Sequence, residues 1–410
     1  MKETAQSIFQ ATPRNNTKAD HALRVIVRYK TPRGKAMALE LASEVFYQFD
    51  ERSAVVVNVD EDGLESLMAS TQDILAVDGD SPMQQHGLFE QEDQPNSRRH
   101  LTQTTPYGIP MVQADQVSVP SNVAERVSVC LVDTGVLYTH PDLPQSLMTG
   151  ADRYSTSFHT ELYWKLGVDG HGTCLAGILS ANMTNNIGIR GVGNIPLYIT
   201  RGMNNQGECM ESDILAALAQ CQASGAKVIS LSFGGSGIST TFQEALNYLY
   251  DDLGVLIFAS AGNNGQEAPM YPASYDRVVS VGGVNQTGQH WFASNTGPWI
   301  ELVAPAAGVW CTGISGTGGP TYSLYSGTSM ASPYAAGVAA MVWSYFPSCS
   351  NTQIRFAMDY TAKDIGPPGC DTITGNGIVQ AKALYDFLST HPCYEASWGK
   401  TISANGCSIV

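Results

Sequence analysis

From residue 107 to residue 388 the chain repeats one pattern, and nothing else restricts its fold as strongly: short apolar runs alternate with helical segments. The runs at 127–132, 197–199, 228–232, 256–259, 278–281 and 300–303 are bounded by turn residues. Strands that are apolar throughout are covered on both faces. The segments 213–224, 241–251 and 329–346 read as helices. Such alternation predicts a mostly parallel sheet with helices on both faces. Forty glycines supply its many tight turns and close backbone approaches. No internal repeat is visible.

The first hundred residues follow another rhythm. Residues 1–22 are polar and are expected to be disordered. Residues 23–30 largely alternate apolar and polar, as a strand does. A helical stretch at 34–44, a β-rich run at 54–59, a helix at 60–70 with Asp60 as N-cap and a short strand at 74–77 follow, with 45–49 as a further strand. This order suits a small open sheet backed by two helices. Residues 79–106 turn to Asp, Gln, Pro, Ser and an Arg98-Arg99 pair, the composition of a linker. The expected division is a disordered segment (1–22), a small α+β domain (23–80), a linker (81–102), a large α/β domain (103–390) and a tail (391–410).

With 43% hydrophobic and 14% charged residues, the chain has the composition of a cored globular protein. Its formal net charge of −15 repels phosphate backbones and anionic lipid, so nucleic acid and membranes are not expected partners. The charge favours bound cations such as calcium, although solubility alone accounts for it equally well. Residues 1–10 lack the apolar stretch of an export signal, and no run of about 18 apolar residues spans a bilayer. None of the nine cysteines has zinc-site spacing. Cys349, Cys370, Cys393 and Cys407 are expected to form two bridges, whereas Cys130 and Cys174, inside strand and helix patterns, read as buried thiols. Sequons stand at Asn15, Asn182 and Asn285.

Glycine-bordered segments carry the reactive side chains. Asp133 closes the run Val129-Cys130-Leu131-Val132 and precedes Thr134-Gly135. In parallel sheets the C-terminal strand ends are where catalytic groups gather, though a lone aspartate there is more often a cap. His171, in Asp169-Gly170-His171-Gly172-Thr173, enters an apolar helix between glycines that leave space for a substrate chain. A solitary histidine there is more often structural. Ser329 begins a long apolar helix in Gly327-Thr328-Ser329-Met330-Ala331-Ser332-Pro333. A helix N-terminus favours an oxyanion forming beside it, yet an isolated serine is the better N-cap. Gly262-Asn263-Asn264-Gly265, an ordinary turn by itself, offers a side-chain amide. Acid, imidazole, amide and hydroxyl in one chain, with the triad in the order Asp, His, Ser, outweigh the four separate readings.

The motifs D-T-G, H-G-T-x-x-A-G and G-T-S-M-A-S-P resemble those of the subtilisin-like serine peptidases over residues 103–388. The resemblance implies a three-layer α/β fold with a mostly parallel central sheet, preceded by a small ferredoxin-like α+β propeptide domain. It implies a serine endopeptidase made as a self-processing zymogen. Ser329 would be the nucleophile, His171 the general base and then acid, and Asp133 the holder of its tautomer. Asn263 would stabilise the oxyanion with the Ser329 N–H. Ser232, Phe233, Gly234 and Gly235 would take the substrate as an added strand. Gly207 would lie in the opposite wall, and Met270 would narrow the first pocket. Asp142, Asn185, Gln103 and the carbonyls of Ile187 and Ile189 would hold a structural calcium ion, with an Asx-bonded turn as the plainer alternative. Catalysis would need no cofactor. The implied partners are protein and peptide substrates and the chain's own propeptide, the expected state is a monomer, and the location is extracellular, with vacuole or lysosome as the alternative. Residues 23–80 would assist folding of the slow parallel topology and then inhibit until cut away. Cuts near 83–86 and near 99–101 both suit the pattern.

Two positions depart from the family. Cys174 replaces a common histidine, and a thiol there would confer sensitivity to mercurials. Tyr334 replaces another. The rival readings are a narrow processing protease for basic substrates, for which no acidic cluster marks the first pocket, and a non-catalytic binding protein, against which all four reactive positions are present.

Overall fold

A computed structural model describes residues 22–86, 89–90, 102–152, 163–167 and 169–393. Nearly all of the segment 1–22, the cleavage region 99–101, most of the tail, Asn15 and Cys407 lie outside the described residues. The chain forms two compact units.

The first unit comprises residues up to 82 together with 210–215 and 237–245. Its order is β1 (Leu23–Tyr29), α1 (Pro32–Leu41), β2 (Glu44–Phe49), β3 (Ala54–Val59), α2 (Glu61–Ala69) and β4 (Ile74–Gly79). The strands pair antiparallel in the order β2-β3-β1-β4, the ferredoxin-like arrangement. Helix α1 begins where Thr31 accepts from Gly34 N (3.1 Å), with Pro32 pre-set at the first helical position. Asp60 caps α2 through Gly63 N at 2.8 Å, as its sequence predicts. Val25, Val27, Val55, Val57, Leu64 and Leu67 form the core. Two acids at the end of the sheet cap further helices. Asp80 accepts from Ser212 N (2.8 Å) and Oγ (2.6 Å), and Asp78 accepts from Thr241 N (2.9 Å). Carboxylates there satisfy N–H groups that a helix start leaves unpaired.

The second unit holds most of the strands numbered from β5. These are β5 (Pro82–Gln85), β6 (Phe89–Glu90), β7 (Val129–Asp133), β8 (Met148–Asp152), β9 (Leu197–Arg201), β10 (Glu208–Met210), β11 (Val228–Leu231) and β12 (Phe233–Gly234). The last five are β13 (Leu256–Ser260), β14 (Val278–Val284), β15 (Leu302–Pro305), β16 (Val309–Ile314) and β17 (Pro320–Ser326). Its helices are α3 (His171–Ser180), α4 (Glu211–Ser224, shared with the first unit), α5 (Thr240–Asn247, likewise), α6 (Thr328–Trp343), α7 (Asn351–Thr361) and α8 (Ala381–Thr390). Seven strands form one sheet in the order β15-β14-β13-β11-β7-β9-β8, and every neighbouring pair is parallel. Strands β7, β11, β13, β14 and β15 are buried along their whole length, which explains why their residues are mostly apolar and otherwise small, as at Ser230 and Ser280. The wholly buried α6 packs on β11, β13, β14 and β15. After β7 the chain crosses to β8 at one edge and returns to β9 between them, then passes to β11 on the other side of β7. That reversal opens a crevice at the C-terminal ends of β7 and β11.

The structure corrects several expectations. Cys130 and Cys174 are not thiols. Cys130 bridges Cys221, and Cys174 bridges Cys311, across Cα separations of 5.6 and 4.9 Å. Periodicity places a cysteine in an element but says nothing of the partner that faces it. The expected mercurial sensitivity at Cys174 therefore has no basis. Cys349 pairs with Cys393, Cys370 is also bridged, and Cys209 takes no part in a disulfide. Within the stretch expected as linker, β5 and β6 are strands, because main-chain pairing needs no side-chain pattern. Helix α5 stops at Asn247 and passes into a π-turn, Tyr248–Asp252. Tyr334 is accommodated by Gly108, where a Cβ would lie 2.4 Å from the tyrosine ring. Among the described residues, no helix is long and apolar enough to cross a membrane.

Candidate active site

Asp133 is the last residue of β7, at the crevice. Its Oδ1 accepts from Thr134 N (2.8 Å) and Thr134 Oγ1 (3.1 Å). Helix α3 starts at His171 and presses its first turn onto that strand end. A Cβ at Gly172 would stand 2.1 Å from the Gly135 oxygen, so the close approach requires glycine. His171 Nδ1 lies 2.8 and 2.9 Å from the two Asp133 oxygens, and both side chains are fully buried. The carboxylate fixes the proton on Nδ1 and leaves Nε2 as the basic nitrogen. Nε2 is buried and, among the described residues, has no hydrogen-bond partner. Burial pulls the imidazole pKa down, but the charges of Asp133 and Asp169 and the Asp133 hydrogen bond outweigh it, and the net shift is upward. Asp169 accepts from Thr134 Oγ1 (2.6 Å) and His171 N (3.2 Å). Its carboxyl is raised by burial, with the Asp133 charge adding to the effect.

Ser329 is the second residue of α6. Pro333, four residues on, has no N–H to offer, so the Ser329 carbonyl turns instead to Ser232 Oγ at 2.9 Å. The Ser329 hydroxyl lies 3.2 Å from the Ser232 carbonyl oxygen and 3.1 Å from that of His86. Contact between the Cys174 and Met330 sulfurs, 3.2 Å apart, brings the first turns of α3 and α6 together. The Asp133–His171 half of the constellation is assembled. The Ser329–His171 hydrogen bond is not made, since the hydroxyl donates to backbone carbonyls. Asn263 follows β13 and accepts from Thr328 N (2.9 Å) and Thr328 Oγ1 (2.8 Å), which pins the oxygen end of its amide to the start of α6.

A strand of the chain itself fills the cleft. Gln85 pairs with Phe233 and Gln84 with Gly234 in antiparallel register, while Gln85 N donates to Gly207 O at 2.8 Å. Ser232, Phe233, Gly234 and Gly207 are therefore brought to one site. Gly235 pairs with Tyr271 through two 2.9 Å bonds, and Met270 lies against Gly262. Sequence reasoning named His86 only as the bound of one candidate cleavage stretch, and it missed Ser260, Asp169 and Thr328 as members of this site. Asp169 and Thr328 sit inside the quoted motifs, one or two positions from His171 and Ser329. No local pattern marks His86 or Ser260.

Of the proposed calcium ligands, Gln103, Asp142, Asn185 and Ile189 converge, and Ile187 joins them through its N–H rather than the expected carbonyl. Asp142 accepts from Asn185 Nδ2 and from Ile189 N, each at 2.8 Å. Asn185 Oδ1 accepts from Ile187 N (3.1 Å) and Gln103 Nε2 (3.3 Å), and Gln103 Nε2 also reaches Ile189 O (3.2 Å) and Asn182 O. Burial pushes the Asp142 carboxyl up to about 6. Among the described residues no group of three or more His, Cys, Asp or Glu side chains is placed to hold a metal. This set is instead one carboxylate with amide and backbone oxygens.

A parallel-sheet crevice that gathers a carboxylate, an imidazole and a helix-borne serine defines a serine hydrolase of the α/β class. Comparison with known proteins narrows the class. Residues 124–377 match the Subtilase family, Peptidase_S8. Subtilisin DY of Bacillus licheniformis is 34% identical over 287 residues, 68% of this chain and 98% of that protein. A psychrophilic subtilisin-like protease from the Antarctic psychrotroph Pseudoalteromonas sp. AS-11 superimposes with a TM-score of 0.63 at 25% identity, over 70% of this chain and 98% of that one. Fervidolysin from Fervidobacterium pennivorans, a keratinolytic enzyme related to subtilisin, shares the fold with a TM-score of 0.76 at 22% identity, over 91% of this chain and 62% of that one. The chain belongs to the subtilase family, with its three-layer α/β fold, and is a serine endopeptidase.

Proposed function

We propose that the chain is a self-processing precursor whose peptidase chemistry is carried by Ser329, His171 and Asp133. Ser329 Oγ attacks the carbonyl carbon of the bond to be cut while His171 Nε2 takes its proton. The imidazolium, steadied by Asp133, then protonates the leaving amine, and water releases the acyl group by the same route in reverse. Asn263, by the nitrogen end of its amide, and the Ser329 N–H stabilise the oxyanion. For the proton to pass, the hydroxyl must swing from the His86 carbonyl towards Nε2, a nitrogen whose hydrogen-bonding position stands unused.

One observation carries this reading: Asp133 orients His171 from 2.8 Å while the Ser329 hydroxyl sits 3.1 Å from a peptide carbonyl held in the cleft. Occupation of the cleft by residues 83–86 supports inhibition before maturation. The three described disulfides suit an oxidising, extracellular destination. Calcium is supported by the oxygens around Gln103. Reversing its amide would exchange Nε2 for Oε1 and leave an all-oxygen cage that only a cation stabilises. The family's reaction itself needs no cofactor.

Matured protein should label covalently with a fluorophosphonate probe, and Ser329→Ala should not label and should leave the precursor uncut. A wild-type protein that folds and matures yet never labels would end the peptidase assignment of these residues.

A further inference from the structure

The strand in the cleft ends on a histidine whose ring is enclosed. Its carbonyl is the one that Ser329 touches, so the bond under attack is His86–Gly87 and the His86 side chain occupies the first specificity pocket. The His86 backbone N–H donates to Ser232 O at 3.4 Å, as expected of the last paired residue of an added strand. His86 Nδ1 lies 2.6 Å from Ser260 Oγ. Ser260 is the last residue of β13 and is fully buried, and among the described residues its hydroxyl makes no other hydrogen bond. On the other side, a Cβ at Gly234 would come 2.9 Å from His86 Nε2, so the absent side chain leaves the width of an imidazole.

We infer that the first pocket is a histidine site read by the Ser260 hydroxyl, and that the enzyme's own maturation bond is His86–Gly87. The inference rests on the catalytic reading above and deepens it. A hydroxyl can donate to or accept from Nδ1, so it complements either neutral tautomer. An apolar residue in the pocket would leave that hydroxyl buried and unpaired; histidine satisfies it while its own Nε2 stays buried without a partner among the described residues, so the net selection is roughly 10-fold. Cationic side chains are disfavoured as well. Burial first, and the His171 charge second, hold the His86 ring neutral with a pKa lowered to about 3. Lysine would have to surrender its proton at a larger cost than histidine, and arginine cannot surrender one at all.

The test has two arms. Full-length precursor is allowed to mature, and its new N-terminus is read by intact mass. Matured enzyme is then assayed on a peptide series that varies only the residue before the scissile bond among His, Phe, Leu and Lys. Gly87 is the expected first residue, and the His peptide should exceed the Phe and Leu peptides by about 10-fold in kcat/KM. Ser260→Ala should cut the His-over-Phe ratio by a similar factor. A mature chain starting elsewhere, a wild-type preference for Phe or Leu, or a His preference that survives Ser260→Ala overturns the inference. Fluorophosphonate labelling of the same samples separates the two failures. Labelled enzyme without the histidine preference defeats this inference alone, whereas wild-type protein that never labels defeats the catalytic reading beneath it.

Discussion

His171 can act as a base only when its imidazole is neutral. Asp133 and Asp169 stabilise the protonated ring and raise its pKa above the ordinary value of 6.5. The inactive imidazolium therefore persists to higher pH than for an unperturbed histidine. We expect kcat/KM to fall as pH drops through a value above 6.5, and Asp169→Asn to move that limb towards lower pH by removing one of the stabilising charges. A stopped-velocity series from pH 5 to 9 on both proteins checks this. A flat profile would exclude His171 as the base. An unmoved limb in the variant would show that Asp169 positions the Thr134 hydroxyl and the His171 backbone without acting on the ring.

Helix α3 carries the base, and two features fix it: the close approach at Gly172 and the Cys174–Cys311 bridge to β16. The bridge closes a separation of 137 residues, so it removes many conformations from the unfolded chain. Replacing both cysteines by alanine should cost about 2–4 kcal/mol and lower the unfolding midpoint in denaturant, measured in the Ser329→Ala background to prevent self-digestion. An unchanged midpoint would mean that the helix is held by packing alone. The elements themselves were largely legible in the residues. Strands β7, β11, β13 and β14 announced themselves as short, mostly apolar runs, and Asp60 marked the start of α2. The triad motifs were equally plain, because glycines and reactive side chains crowd into short windows. Strands β5, β6 and β10 were not legible as strands, since their pairing is made by main-chain groups that every sequence supplies, and β12 was reached only through the family resemblance. The partners of Cys130 and Cys174 were hidden for a related reason: contact across the fold leaves no trace in local periodicity. His86 and Ser260 are 174 positions apart, and only folding brings them together.

The candidate calcium cage belongs to the whole molecule, because it gathers three distant stretches: Gln103, Asp142 and the loop from Asn182 to Ile189. Gln103 reaches Asn185 across 82 positions, and the strand bridge of Thr104 with Ile189 anchors the segment that delivers it. No unfolded chain holds these oxygens together, so an ion bound here stabilises the native state alone. At a calcium concentration a hundredfold above Kd, the gain is about 2.7 kcal/mol. In a domain of about 290 residues that raises the thermal midpoint by roughly 4–5 °C. We expect the Ser329→Ala protein to melt higher in millimolar calcium than in chelator. Asp142→Ala should abolish the difference, because it removes the cage's one carboxylate, and Gln103→Ala should reduce it. Differential scanning calorimetry on the three proteins decides the matter. If calcium raises the midpoint of the Asp142→Ala protein as much as that of its parent, the ion binds elsewhere. If it raises neither, the Gln103 amide itself fills the cage, and the loop is held by the hydrogen bonds it already makes.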